Sequence, residues 1–238
     1  MPKFNQTQTK GLTELFAESR ESRDQAWRKK FYTAVPDSTL MAFEPQVSPG
    51  PDQFPYFHLA IPDPGPLTPF GVSHVLDDAL DDGFGIVLFG DSSRSSDPEW
   101  VFTYGNLLSY SLFGDFEGDP AERERLRGHE AERRPSHSQH QVLTAAPSEA
   151  YLPTRARKAM AGYMRHWFEH PDPKVTLLED PQLAPSRNLM INLTLEDYDG
   201  DETKLHAAIH YLSWYLPVTY RIVPMPEGWT DSSFIPLD

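Results

Sequence analysis

Two stretches of this chain, residues 27–89 and 154–223, carry the same order of sequence patterns: helix, strand, strand, helix, strand. A repeated order constrains the fold more than any single motif, because each copy must cover a small sheet with its own helices. In the first copy, residues 11–34 favour helix, with Leu12, Leu15, Phe16, Trp27, Phe31 and Tyr32 at mostly helical spacing, and Pro36 ends it. Residues 38–44 read as a strand, and a proline-rich turn over 45–55 leads to a second strand at 56–61, where Tyr56, His58 and Ala60 alternate with Phe57, Leu59 and Ile61. Ser73 is the expected N-cap of a short helix with Val75, Leu76, Ala79 and Leu80 on one side and Asp77, Asp78, Asp81 and Asp82 on the other. Gly83 closes that helix, Gly85–Phe89 has the apolar run of a buried strand, 100–104 reads as another strand and 106–113 as helix.

The second copy opens with a helix at 154–170, where Ala156, Met160, Tyr163, Met164 and Trp167 form an apolar stripe. Strands follow at 174–179 and 189–195, then a helix at 202–216 and a strand at 218–223, after which Pro224, Pro226 and Gly228 stop the pattern. Between the copies, residues 118–149 are nearly bare of large apolar side chains and dense in Glu and Arg, although 120–134 has helical propensity. The expected organisation is an N-terminal tail over 1–10, an α+β domain over 11–117, a charged linker over 118–149 and a second α+β domain over 150–238. The fold class is thus α+β with two similar halves, each a small sheet covered by helices.

Hydrophobic residues make up 39 % of the 238 positions, enough for a buried core. The absence of cysteine excludes disulfides, thiolate metal sites and thiol nucleophiles, and permits a reducing compartment. No apolar run approaches the roughly 20 residues of a membrane span, and Met1 to Lys10 lack the apolar core of a secretory signal, so a soluble, cytoplasmic protein is expected. Residues 36–120 hold fourteen carboxylates against one cation, Arg94, which is −13 of the total −14. Such a surface repels a phosphate backbone and would attract a basic protein; nucleic acid and membrane are not expected partners.

Signals of chemistry are weak. Phe89-Gly90-Asp91-Ser92 resembles the first block of the GDSL esterases, in which the serine after a strand is the nucleophile, yet Ser93 replaces the leucine and no aspartate stands three residues before a C-terminal histidine. His166 with His170 and His206 with His210 have the spacing of ligands on one helix face, but no third ligand is identifiable, and His129, His137 and His140 sit in the linker. Asp197, Asp199 and Asp201 alternate as in a calcium loop, but that loop needs glycine sixth and glutamate twelfth, whereas Gly200 is fourth and Ala208 twelfth, so a turn in which Asp201 caps a helix is the simpler reading. Neither a phosphate loop nor a dinucleotide fingerprint occurs. No catalytic residue, cofactor or resident metal is therefore expected. On the last helix, Leu205, Ile209, Leu212 and Leu216 suffice to dock it, which leaves Tyr211, Trp214 and Tyr215 as a candidate partner-binding surface.

From about Leu152 onward, Lys174-Val175-Thr176-Leu177-Leu178, Asn188-Leu189-Met190-Ile191-Asn192-Leu193, Leu216-Pro217, Tyr220-Arg221-Ile222-Val223-Pro224 and Ser233-Phe234-Ile235 follow one another between helices. This arrangement resembles the C-terminal domain of the bacterial enhanced-serine-sensitivity (SseB-like) proteins. Phe31-Tyr32 and the strand from Ser38 are faintly similar to that family's first domain. The resemblance implies a two-domain α+β protein without a recognised catalytic motif, whose role is poorly defined. The expected function is a non-catalytic interaction or regulatory module, with a basic protein or a second copy of the chain (a homo-oligomer) as partner.

Overall fold

The structure, a computed structural model, describes residues 6–62, 70–91, 97–131, 142–179, 185–230 and 233–238. The chain divides into two compact units, one running to Leu107 and the other from Leu108.

In the first unit, α1 (Gln6–Phe16) and α2 (Gln25–Ala34) precede β1 (Met41–Pro49), β2 (Pro55–Ala60), α3 (Val72–Asp82), β3 (Gly85–Phe89) and β4 (Trp100–Phe102). The sheet order is β1-β2-β3-β4. β1 and β2 form an antiparallel pair, α3 carries the chain over to a parallel β3, and β4 returns antiparallel. Every residue of β3 is buried, which accounts for its unbroken apolar sequence. Trp27, Phe31 and Ala34 are the buried positions of α2, spaced at four and three as a helix docked on one side requires. Phe31 is fully buried, with its ring 5.1 Å from that of Trp27, 4.8 Å from Trp100 and 5.9 Å from Phe102.

The second unit repeats the plan with other residues. Its α5 (Pro120–Ala131) and β5 (Leu143–Ala145) precede α6 (Thr154–Trp167), β6 (Lys174–Glu179), β7 (Arg187–Ile191), α7 (Glu202–Ser213), β8 (Arg221–Pro224) and β9 (Ile235–Pro236). β6 and β7 are antiparallel, and β7 and β8 are parallel across α7, the same signs of pairing as β1-β2-β3 across α3. The two halves are therefore similar in pairing as well as in element order. On the outer edge of β6 two short strands lie along its length, β5 against 177–179 and β9 against 174–175. Thr176 fastens that edge: its hydroxyl donates to the Ala145 carbonyl at 3.2 Å and lies 2.6 Å from the Ser233 hydroxyl. The apolar stripe of α6 is buried at Ala156, Met160, Ala161 and Met164, and in the sheet Val175, Leu189 and Ile191 are fully buried.

Several boundaries depart from the sequence expectation. The single helix expected over 11–34 is interrupted, because the Asp24 carboxylate accepts from the Trp27 amide at 2.8 Å and starts α2 afresh. Ser73 is not the cap of α3, whose N-cap is Gly71; its hydroxyl donates instead to the Pro36 carbonyl at 2.8 Å. Gly83 does end α3, in the left-handed region at φ 79°. The units part after Leu107, inside α4 (Tyr104–Phe113), rather than at residue 117, and the segment 118–149 contributes α5 and β5 to the second unit.

Candidate functional site

The segment before α5 is held by contacts that its sequence permits only in part by accident of size. Gly118 has φ 99°, and a Cβ there would stand 2.6 Å from Thr219 Cγ2, so only glycine lets the chain pass this close. The Gly118 amide donates to Ser109 Oγ at 2.7 Å, and the Asp119 amide donates to Thr219 Oγ1 at 3.2 Å. Asp119 Oδ1 accepts from the Ala121 amide at 2.9 Å, as a side chain capping the start of α5 does. Arg123 donates to Glu117 at 2.6 Å and also to Asp115. One stretch of backbone is thereby fixed beside Thr219 and Tyr220.

Tyr220 stacks on Tyr151 with centroids 4.2 Å apart and planes 7° from parallel, and its hydroxyl donates to the Tyr151 carbonyl at 2.9 Å. Phe113 meets Tyr220 edge-on at 6.5 Å. Beside this aromatic wall opens a cleft of about 390 Å³, bordered by Asp119, Glu122 and Arg125 on one side of the chain and by Ser186 and Arg187 at the start of β7. Arg187 lies opposite Glu179 in the sheet register, with Nε 3.8 Å from its carboxylate. Glu122 and Arg125, one turn apart on α5, are 3.5 Å from each other.

Burial pushes the Tyr151 hydroxyl up from its ordinary range; Arg187 pulls it the other way, while Glu122 and Asp119 add to the rise. Burial likewise raises Tyr220, with Tyr151 and Asp119 adding and Arg187 opposing. Both phenols thus remain protonated near neutrality and can donate hydrogen bonds, but cannot serve as bases there. Among the described residues no histidine lines the cleft. The arrangement suits binding.

A third phenol in this unit, Tyr198, has its hydroxyl buried beside Phe168, and burial followed by the charge of Asp197 pushes it up to about 12. A raised folded-state value favours the native state fully below the unfolded value of about 10. That contribution is lost as pH climbs from about 10 through about 12. Thermal melts taken across that window are expected to fall in the wild type and to fall less steeply in Tyr198→Phe; parallel slopes would contradict the assignment.

The three aromatic residues proposed from the last helix separate. Tyr211 is exposed at 43 %, whereas Trp214 and Tyr215 are only 9 % and 4 % exposed and belong to the interior of the unit. The helix also changes there: α7 ends at Ser213, and the next amides bond back three residues, Trp214 to Tyr211 and Tyr215 to Leu212, which tightens the turn that carries both rings. Buried rings cannot meet a partner, so Trp214 and Tyr215 leave the candidate surface, and exposed Trp167 is an aromatic that the sequence placed in the core stripe.

His206 and His210 lie on the exposed side of α7. His170 does not share a helix face with His166, because α6 stops at Trp167 and Glu169 has φ 51°. Among the described residues no group of three or more His, Asp or Glu could hold a metal ion. Asp201 does cap α7, accepting from the Thr203 and Lys204 amides at 3.0 and 3.2 Å, while Asp197 accepts from the Thr194 amide and hydroxyl. Ser92, His137 and His140 lie outside the described residues, as does the side chain of His129. Among the described residues no helix is long and apolar enough to cross a membrane.

Tyr151, Tyr220, Asp119 and Arg187 come from four separate stretches of sequence and share no motif, so spacing alone does not find them. In comparisons with known proteins, no family model matches the chain, and neither a curated protein nor a solved structure does.

Proposed function

We propose that this chain is a non-catalytic regulatory module that binds a small molecule in the cleft beside Tyr151 and Tyr220. The observation that carries the proposal is the cleft itself: about 390 Å³ with an aromatic wall and polar groups on two sides. Its volume lies within the usual range of ligand pockets, roughly 300–1,000 Å³. A cytoplasmic location and membership of the SseB-like group belong to the same proposal; a chain without cysteine needs no oxidising compartment, and the order α6, β6, β7, α7, β8 is the order on which the resemblance rests.

The test is a screen of aromatic and aliphatic fragments against the full chain, read by amide shifts in NMR. Binding fragments are expected to move signals around Tyr151, Arg187 and Tyr220, and to lose that effect in Ser186→Trp, which fills the cleft without altering its wall. Shifts scattered over the surface, or unchanged by Ser186→Trp, would refute the proposal.

A second reading is favoured by one observation, the exposure of Tyr211 at 43 % and Trp167 at 53 % in the same unit. Two exposed aromatics suit a protein partner, whether a basic protein drawn by the net charge of −14 or a second copy of the chain. Binding that survives Ser186→Trp but fails in Tyr211→Ser would favour it.

A further inference from the structure

The charged groups around the cleft are arranged in a way that ordinary surface pairing does not explain. Glu122 and Arg125 satisfy each other at 3.5 Å. Asp119 and Arg187 do not: no nitrogen of Arg187 comes within 4.0 Å of a carboxylate oxygen of Asp119 or Glu122. Both signs nevertheless act on the same rings, since Asp119 and Arg187 shift the Tyr151 and Tyr220 hydroxyls in opposite directions.

Two local anchors keep them apart. Asp119 is held by its backbone amide on Thr219 and by its own capping bond to Ala121. Arg187 is held in the β-ladder opposite Glu179, with Nε 3.8 Å from that carboxylate and its side chain 55 % exposed, so its guanidinium is open to a further carboxylate. Tyr151 also lines the cleft.

We infer that the cleft takes a small zwitterion with an apolar or aromatic body, its carboxylate on Arg187, its ammonium toward Asp119 and Glu122, and its body against the Tyr151–Tyr220 stack. This rests on the proposal that the cleft binds a small molecule. A ligand with negative charge alone would meet Asp119 and Glu122, and one with positive charge alone would meet Arg187. A zwitterion has no net charge, so the overall −14 of the chain neither draws it in nor repels it. Phe113, edge-on to Tyr220, extends the apolar side.

Three probes that share one ring separate the charges: phenylalanine, 3-phenylpropionate, which lacks the ammonium, and phenethylamine, which lacks the carboxylate. Titrated into the full chain and followed by NMR, phenylalanine is expected to bind at least about tenfold more tightly than either analogue, a difference of one charged contact. Arg187→Gln should remove that advantage over phenethylamine without weakening phenethylamine itself, and Glu122→Gln should weaken phenethylamine without weakening 3-phenylpropionate. Equal binding of a one-charge analogue, or indifference of phenylalanine to Arg187→Gln, would overturn the zwitterion while leaving the cleft as a ligand site. Silence from all three probes also overturns it; if the fragment screen is silent as well, the cleft falls with it.

Discussion

Arg23→Ala is expected to destabilise the first unit by about 3–5 kcal/mol, the cost of leaving one member of a buried ion pair alone. The Arg23 and Glu99 side chains are only 8 % and 15 % exposed, which separates this pair from surface pairs worth less than about 1 kcal/mol. Arg23 Nη2 donates to Glu99 Oε2 at 2.7 Å and to the carbonyls of Phe16 and Glu18 at 3.2 Å, while Nη1 donates to the Glu99 carbonyl at 3.3 Å. Its guanidinium also lies 4.8 Å from the centroid of the Trp27 ring. One side chain thus joins the end of α1, the start of α2 and the approach to β4, and its loss strands a carboxylate and several carbonyls at once. Denaturant dependence of hydrogen exchange at the amides of β2 and β3 measures the loss. Replacing both partners by apolar residues, Arg23→Met with Glu99→Leu, should recover the part due to the stranded carboxylate and not the part due to the carbonyls. A loss below about 1 kcal/mol in Arg23→Ala would show that water reaches the pair.

Phe31→Ala is expected to cost a similar amount, about 3–5 kcal/mol, for a different reason. Its ring is fully buried among Phe16, Trp27, Trp100 and Phe102, at 4.8 to 5.9 Å between centroids, and connects both leading helices to the β4 end of the sheet. Alanine leaves a void lined by rigid rings, which collapse poorly, so the cavity adds to the lost transfer energy. Phe31→Leu keeps much of the volume and should lose less. Trp167→Ala, at a side chain 53 % exposed, should stay within about 0.5 kcal/mol by the same exchange measurement in the second unit. A Phe31→Ala loss no larger than that of Trp167→Ala would mean that the aromatic group is not a packed core.

The doubled scaffold was legible because it rests on periodicity, which survives the loss of residue identity. The one-sided face of α3 comes from burial on one side, and burial is what a hydrophobic pattern records; residues 56–61 depart from the expected alternation, with Tyr56, Leu59, Ala60 and Ile61 all buried. Short edge elements escaped for the complementary reason. β5 has Leu143 exposed at 56 % and only three residues, and β9 has two, so neither carries an alternation to detect. The break before α2 depends on the single Asp24 cap, which a pattern of apolar spacing runs across. Of the candidate contact residues, Tyr211 stands where helical spacing puts it, whereas Trp214 and Tyr215 follow a helix end that the spacing did not register. The cleft was illegible throughout, since it is made where Gly118, Thr219, Tyr151 and Arg187 converge through tertiary packing alone.

The placement of β9 on β6 bears on how the two halves come into being on the ribosome. All strands of the first sheet are in hand once Phe102 has emerged, so that half can close while synthesis continues. The other half must wait: Val175 and Lys174 keep part of their ladder open until Ile235 and Pro236 arrive, and Leu237, which ends up fully buried, seals the join through its amide on the Pro173 carbonyl. Translation therefore sets an order of maturation, in which the earlier half is finished long before the later one can be.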